Sequence, residues 1–358
     1  MMKRSRFPWA VVGTLLLAAT VASCRGEQGK PVGDSNAADP SGPEPVAPPG
    51  EKNAADPSGP KPVAPSGEKV DLRLRLSEGD SVTLRMTTDQ DIDQEIQGQR
   101  QSMKQSMGMT FTYDVVKKAD DGTATVEVTY DAVAMKQSGP MGNVDYDSAD
   151  PPAKVPMQAQ GFAALPGQKF SFDMTPEGRV TRVAGVDAIF DHVMKNVQIP
   201  MPGAREQLRE QMKQQFGDKA MKEMMEKMFA TFPDGPVGVG ESWSRTVSLT
   251  TGFPMVLEND WTLEDRSGGV AKIKCESKIK PNPQAKPFEI GPMSMTHRLS
   301  GTQHGTTEVD EATGWPVRAK LHQDVSGTIK VSGMPGTTSA VEWPMKVKGE
   351  ITLEQVDK

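Results

Sequence analysis

Cysteine is nearly absent: the 358 residues hold two, Cys24 and Cys275, so no disulfide framework can organise the fold. Histidine is scarce as well. His192, His297, His304 and His322 show neither HxH nor HExxH spacing, and His297 and His304, seven apart on one strand, would lie on opposite faces. No metal site and no cofactor is expected from them. No GxSxG elbow and no Walker motif is present. The glycine-rich "GPVGVGESW" (235–243) leads into a strand-like run with Trp243, not into a helix N-terminus, so a phosphate would find no array of backbone donors there. An excess of positive charge is also missing. Net charge is −6, which excludes non-specific nucleic-acid binding and attraction to anionic lipid headgroups.

The first 24 residues do carry a pattern. Lys3, Arg4 and Arg6 make a basic start, and Pro8 to Thr20 form a short apolar run with too few residues to span a bilayer comfortably. The run ends in Val21-Ala22-Ser23-Cys24, which resembles the bacterial lipobox. The resemblance implies a signal peptide over 1–23, cleavage before Cys24, and a diacylglyceryl group on the Cys24 thiol. One acyl chain holds a protein to a membrane only marginally, at about 0.8 kcal/mol per buried CH₂, and the triacylated cysteine of that family supplies more than one. Membrane contact is therefore expected through Cys24, in a bacterial cell envelope. Arg25 follows the cysteine, and the lack of Asp there agrees with the outer membrane, on its periplasmic face.

Residues 25–69 contain no aromatic residue, Leu or Ile and are rich in proline, so they cannot bury enough apolar surface to offset the entropy of ordering. Within them "NAADPSGPEPVAPPGEK" (36–52) is repeated as "NAADPSGPKPVAPSGEK" (53–69), with differences only at Glu44/Lys61 and Pro49/Ser66. A disordered tether over 24–69, lengthened by tandem duplication, is expected. As a flexible coil it would span about 40 Å, and as extended polyproline II about 140 Å.

From Val70 to the end the dominant signal is period two. Val70, Leu72, Leu74 and Leu76 alternate with polar residues, Gly79-Asp80 turns the chain, and Val82, Leu84 and Met86 alternate again. Met107 to Val115, the turn "DDG" (120–122) and Ala124 to Tyr130 predict a hairpin with one buried face. Phe170, Phe172 and Met174 turn through "PEG" (176–178) into Val180 and Val183. Further strands are predicted near 242–250, 255–265, 269–280, 288–309, 315–331 and 338–356. Such a meander of long strands predicts a mainly β domain over 70–358: a strongly curved antiparallel sheet, half-barrel or open barrel.

One helical stretch interrupts it. Val186, Ile189, Phe190 and Met194 follow helical spacing, then Leu208, Met212 and Phe216, with Gly217 ending that helix and Asp218 capping the next. Ala220, Met224 and Met228 continue the apolar face, beside Met221 and Met225. This insertion, 186–232, is expected across the concave mouth. The chain holds 22 methionines, flexible and polarisable side chains that suit varied apolar shapes. Met212, Phe216, Met224 and Met228 are the candidate ligand-binding residues, for a lipid or other apolar ligand.

Other motifs read as structure. Asp145, Asp147 and Asp150 in "DYDSADPP" lack the later bidentate Glu of a calcium loop and suit a turn. Trp243, Trp261, Trp315 and Trp343 suit core or rim packing, and Cys275 a small packed thiol. "VDYDSADPP", "LPGQKFSFDMTPEGRVTRVAG", "FPDGPVGVGESW" and "DEATGWPVRAKL", in that order, resemble an uncharacterised family of secreted bacterial lipoproteins, a domain of unknown function of the six-two-six-three type. That resemblance implies an extended envelope β-domain, and since the family has no assigned activity or catalytic residues, it carries none over to this chain. The expected function is a non-enzymatic binding module for a lipid or apolar ligand. A structural or assembly lipoprotein holding an envelope protein partner is the alternative, and a hydrolase whose residues converge only in the fold is the second.

Overall fold

The structure is a computed structural model that describes residues 67–140, 142–196, 204–228, 232–250, 254–290, 293–333 and 339–357. The signal and tether expectations for 1–66 lie outside the described residues.

Thirteen strands form one sheet: β1 (Ser81–Ile96), β2 (Gln99–Lys118), β3 (Ala124–Ser138), β4 (Val144–Asp147), β5 (Lys169–Met174), β6 (Val180–Ala184), β7 (Ser242–Leu249), β8 (Met255–Ser267), β9 (Val270–Pro281), β10 (Phe288–Ile290), β11 (Met293–Asp310), β12 (Pro316–Ser332) and β13 (Val341–Val356). The order is β6-β5-β3-β2-β1-β13-β12-β11-β9-β8-β7, with β4 beside β3 and β10 beside β11, and every pairing is antiparallel. The hairpins read from period two are present, including the "DDG" and "PEG" turns. The sheet is not closed into a barrel.

Among the described residues no second sheet covers its buried face, yet Ile92, Leu257, Ile329 and Val347 are 1–2% exposed. Only strong curvature lets one sheet bury its own face in this way, so the expected half-barrel is what forms. Glycines permit the curl. A Cβ on Gly301 would lie 2.1 Å from the Asp324 carbonyl oxygen, and one on Gly327 1.9 Å from that of Arg298. Such close backbone approach across β11 and β12 requires glycine.

The stretch 70–76 departs from expectation. It forms no sheet strand; only Val70 pairs, in an isolated antiparallel bridge with Val237. Its alternation serves an extended segment across one end of the half-barrel, where Leu72 is 1% exposed and the Arg75 amide donates to the Thr313 carbonyl at 2.7 Å.

Three helices follow β6: α1 (Val186–Asn196), α2 (Ala204–Phe216) and α3 (Asp218–Met228). Asp218 does not cap its own helix. Its Oδ1 accepts the Val186 and Asp187 amides of α1 at 2.8 and 3.3 Å, while Asp187 Oδ1 accepts the Asp218 amide of α3 at 3.1 Å. Each helix thus supplies the other's N-terminal acceptor, satisfying donors that lack intrahelical partners. Gly217 is required at the crossing, since a Cβ there would lie 2.2 Å from Asp187 Oδ1.

Candidate functional site

The two edge strands, β6 and β7, are joined in sequence by the helical insertion and bridged by it in space. Helix α3 packs on β6, α2 meets β10, and the Thr250 hydroxyl, just past β7, donates to Glu223 Oε1 of α3 at 2.7 Å. The insertion therefore spans the open side of the curved sheet.

Its methionines divide. Met225 is 5% exposed and, with Met221, packs into a core of Val126, Phe172, Val183 and Ile189. Met212, Phe216 and Met224 are half-buried. The side chain of Met228 lies outside the described residues. A cleft of about 210 Å³ beside α1 and α2 is lined by Asp191, Met194, Lys195, Glu206 and Arg209. Its charges are matched: Lys213 Nζ lies 2.9 Å from Asp191 and holds that carboxyl below its usual range.

The concave face holds a feature that the sequence reading missed. Side chains pointing inward from successive strands form rows, and one row is almost wholly amide. Gln137 on β3 pairs with Gln105 on β2, Gln105 with Gln90 on β1, and Gln90 with Gly349 on β13. Beyond Gly349 the row continues through Gln323 on β12, Gln303 on β11, Ser277 on β9 and Asn259 on β8, and reaches Arg245 on β7. Each of these glutamines, Ser277 and Asn259 is only 4–5% exposed.

Apolar rows flank this belt on both sides. Toward one end stand Met103, Ile92, Val347, Val325, Ile279 and Leu257; toward the other, Met107, Ile351, Leu321, Cys275 and Trp261. Burial in that setting pushes the Cys275 thiol up, consistent with a packed thiol. The stacked Trp243 and Trp261 rings, 6.2 Å apart, and the buried Trp315 and Trp343 are core aromatics.

Part of the belt is satisfied internally. Gln323 Nε2 donates to Gln303 Oε1, and the Gln105 and Gln137 amides donate to the sulfurs of Met107 and Met103, each at 3.1 Å. Gln90 Oε1 and Gln137 Oε1 are buried with no hydrogen-bond partner among the described residues. At Gly349 the row lacks a side chain, and its neighbours close over it: a Cβ there would lie 3.6 Å from Gln90 Cγ and 3.9 Å from Gln323 Oε1. An amide oxygen left unpaired in the interior costs about 1–3 kcal/mol, so each of these two calls for a donor. Neither orphan is charged, and within the row their cross-strand neighbours are Gln105 and Gly349. What they can recognise is a neutral donor such as a hydroxyl or an amide.

His297 lies six residues from Gln303 along β11, about 20 Å nearer the end of the half-barrel at a rise of ~3.3 Å per residue. Both its ring nitrogens are buried without a hydrogen-bond partner among the described residues, and burial lowers its pKa, which favours the neutral ring. Leu299, Met345 and Val325 fill the wall between His297 and the belt, and Ile329 and Trp343 stand in the same cross-strand row as His297.

The remaining candidate motifs are structural. Asp147 Oδ1 accepts the Ala149 amide at 2.8 Å as a turn former, and Glu241 closes the Gly238 turn at 2.9 Å. Among the described residues no group of three or more His, Cys, Asp or Glu side chains could hold a metal ion.

Among solved structures, the chain is similar to one titled "Lipid-protein interactions in lipovitellin", at 7% identity and a TM-score of 0.43, covering 79% of this chain. The chain spans 26% of that protein's length. It is also similar to Pseudomonas aeruginosa OpdQ (5% identity, TM-score 0.20, 78% of this chain and 100% of that one). The translocator domain of the autotransporter NalP from Neisseria meningitidis follows at 7% identity and TM-score 0.20, covering 78% and 90% of the two chains. No curated protein matches this chain. Residues 121–316, from the β2–β3 turn to the start of β12, match one family over more than half of the sequence, and the chain belongs to that family of unknown function, DUF6263.

Proposed function

We propose that this protein is a membrane-anchored lipoprotein of the bacterial cell envelope, whose β-domain is a non-enzymatic binding module for a lipid or other apolar ligand bearing an uncharged hydrogen-bonding group. The observation that carries this reading is the pair of orphaned amide oxygens, Gln90 and Gln137, within an apolar interior. A ligand with an apolar body and a neutral donor satisfies both demands at once. Acylated Cys24 supplies the anchor, 24–69 is the tether, and 70–358 is the binding domain, held at the periplasmic face of the outer membrane. The insertion carries the candidate ligand-binding residues Met212, Phe216, Met224 and Met228 and is the wall past which the ligand enters.

Titration of the purified full chain with monopalmitoylglycerol, palmitate and palmitoyl lysophosphatidate tests this reading. Saturable binding that favours the uncharged headgroup is expected. It should weaken on the order of tenfold in a Gln90→Leu/Gln137→Leu variant, the equivalent of about 1.4 kcal/mol for lost hydrogen bonds. Absence of saturable binding to all three would overturn it.

A further inference from the structure

Aromatic residues make up only 5% of this chain, yet five of them join ring to ring at one place on the concave face. Phe111 and Tyr113 point inward from β2, Tyr130 from β3 and Phe170 from β5, and Trp315 meets them from the turn before β12. Phe111 and Tyr130 are cross-strand partners with centroids 4.9 Å apart and planes inclined by 59°. Tyr113 and Trp315 are 5.3 Å apart at 53°. Phe111 lies six residues along β2 from Gln105, so the cluster stands about 20 Å from the amide belt at a rise of ~3.3 Å per residue. Leu76 of the plug, Ile189 of α1 and Met225 of α3 belong to the same packed cluster and close it in.

Three polar atoms set this place apart from an ordinary core. Trp315 is 4% exposed, and its Nε1 has no hydrogen-bond partner among the described residues. The Tyr113 and Tyr130 hydroxyls have no partner among them either. Buried Tyr and Trp tips usually find one. Neither phenol ionises near neutral pH: burial pushes Tyr130 up to about 12, and burial with Tyr130 alongside pushes Tyr113 higher still. All three groups are therefore neutral donors. No cation contributes to either shift, so an anion brought here would be desolvated without a counter-charge. Although they face the interior, Phe111, Tyr113, Tyr130 and Met109 are only half-buried, so open space adjoins them.

We propose that Phe111, Tyr113, Tyr130 and Trp315 form a second binding site, for an uncharged, flat-ringed carbonyl compound. The tilted rings offer faces and edges to a flat body. A carbonyl oxygen accepts through two lone pairs and brings no donor of its own, which is what a wall of unpartnered donors lacks. The site is opposite in sense to the amide belt, which offers acceptors, and it does not depend on what the belt binds.

Equilibrium dialysis of the full chain against fluorenone tests it, with two controls: fluorene, the same flat body without the oxygen, and fluorenone carboxylate, the charged analogue. Saturable binding of fluorenone is expected, on the order of tenfold tighter than fluorene and tighter than the carboxylate. Tyr113→Phe/Tyr130→Phe keeps the rings and should remove most of the preference over fluorene, while Gln90→Leu/Gln137→Leu should leave it intact. Fluorenone bound no more tightly than fluorene, a comparison that needs no variant, would overturn the proposal. So would an undiminished preference in the Tyr113→Phe/Tyr130→Phe protein.

Discussion

Replacing Gln90 by methionine should make the ligand-free protein more stable. Gln90 is 5% exposed, sits between Gln105 and Gly349, and has Ile92 and Thr88 as its neighbours on the same face of β1. Its Oε1 has no hydrogen-bond partner among the described residues. Methionine has nearly the same volume and reach, so the exchange leaves no cavity and removes an unpaired acceptor worth about 1–3 kcal/mol. Allowing for imperfect repacking, a gain of about 1–2 kcal/mol is expected, a rise of roughly 2–6 °C in Tm for a domain of this size. The same change should weaken the apolar ligand, because the donor on that ligand loses its acceptor. Urea unfolding of delipidated protein, followed through tryptophan fluorescence, gives the stability difference with an unchanged slope. A loss of more than about 1 kcal/mol would refute the reasoning, since it would mean that the amide oxygen is already well bonded in the empty protein.

Cys24→Ser should move the protein from the membrane pellet to the soluble envelope fraction, as followed by fractionation and immunoblotting, because no second anchor is proposed. Gly217→Ala should lower stability by about 2 kcal/mol or more in thermal unfolding, since its Cβ would strike Asp187 Oδ1 and Lys213 O and break the reciprocal caps of α1 and α3. Stability should also fall in acid. Arg266 holds the Glu311 carboxyl below its ordinary value of 4.5, and Arg182 holds that of Asp173 below 3.8. These groups bind fewer protons folded than unfolded, so their contribution is complete above the ordinary carboxylate range and is lost as pH falls through the lowered folded values. Tm measured from pH 7 to pH 3 should hold level to about pH 5 and then drop, and Glu311→Gln should flatten part of that drop.

The β architecture was legible because one buried and one solvated face impose period two, and because turns such as "DDG" and "PEG" punctuate it. The stripe from Met107 to Val115 and its answer from Ala124 became β2 and β3 for that reason. The same periodicity misled at 70–76, where an extended plug alternates just as a strand does. The amide belt was in view, yet it could not be read. Gln105 continues the Met107 stripe, and Gln90 the Leu84–Met86 stripe, but each looks like a lone polar residue until the register sets it beside the others. The aromatic cluster was illegible for a related reason: Tyr113 and Trp315 lie far apart in sequence, and only the fold puts their rings together. Asp218 was recognised as a cap, but which helix it caps depended on how α1 and α3 pack, a tertiary fact.

The most direct measurement is native mass spectrometry of the full chain purified from an envelope compartment, followed by solvent extraction and identification of whatever is released. The account predicts added mass beyond the acylated polypeptide, released as an apolar molecule with a hydroxyl or amide group, and diminished when Gln90 and Gln137 are leucine. A mass equal to the acylated chain alone, unchanged after incubation with envelope lipids, would contradict it.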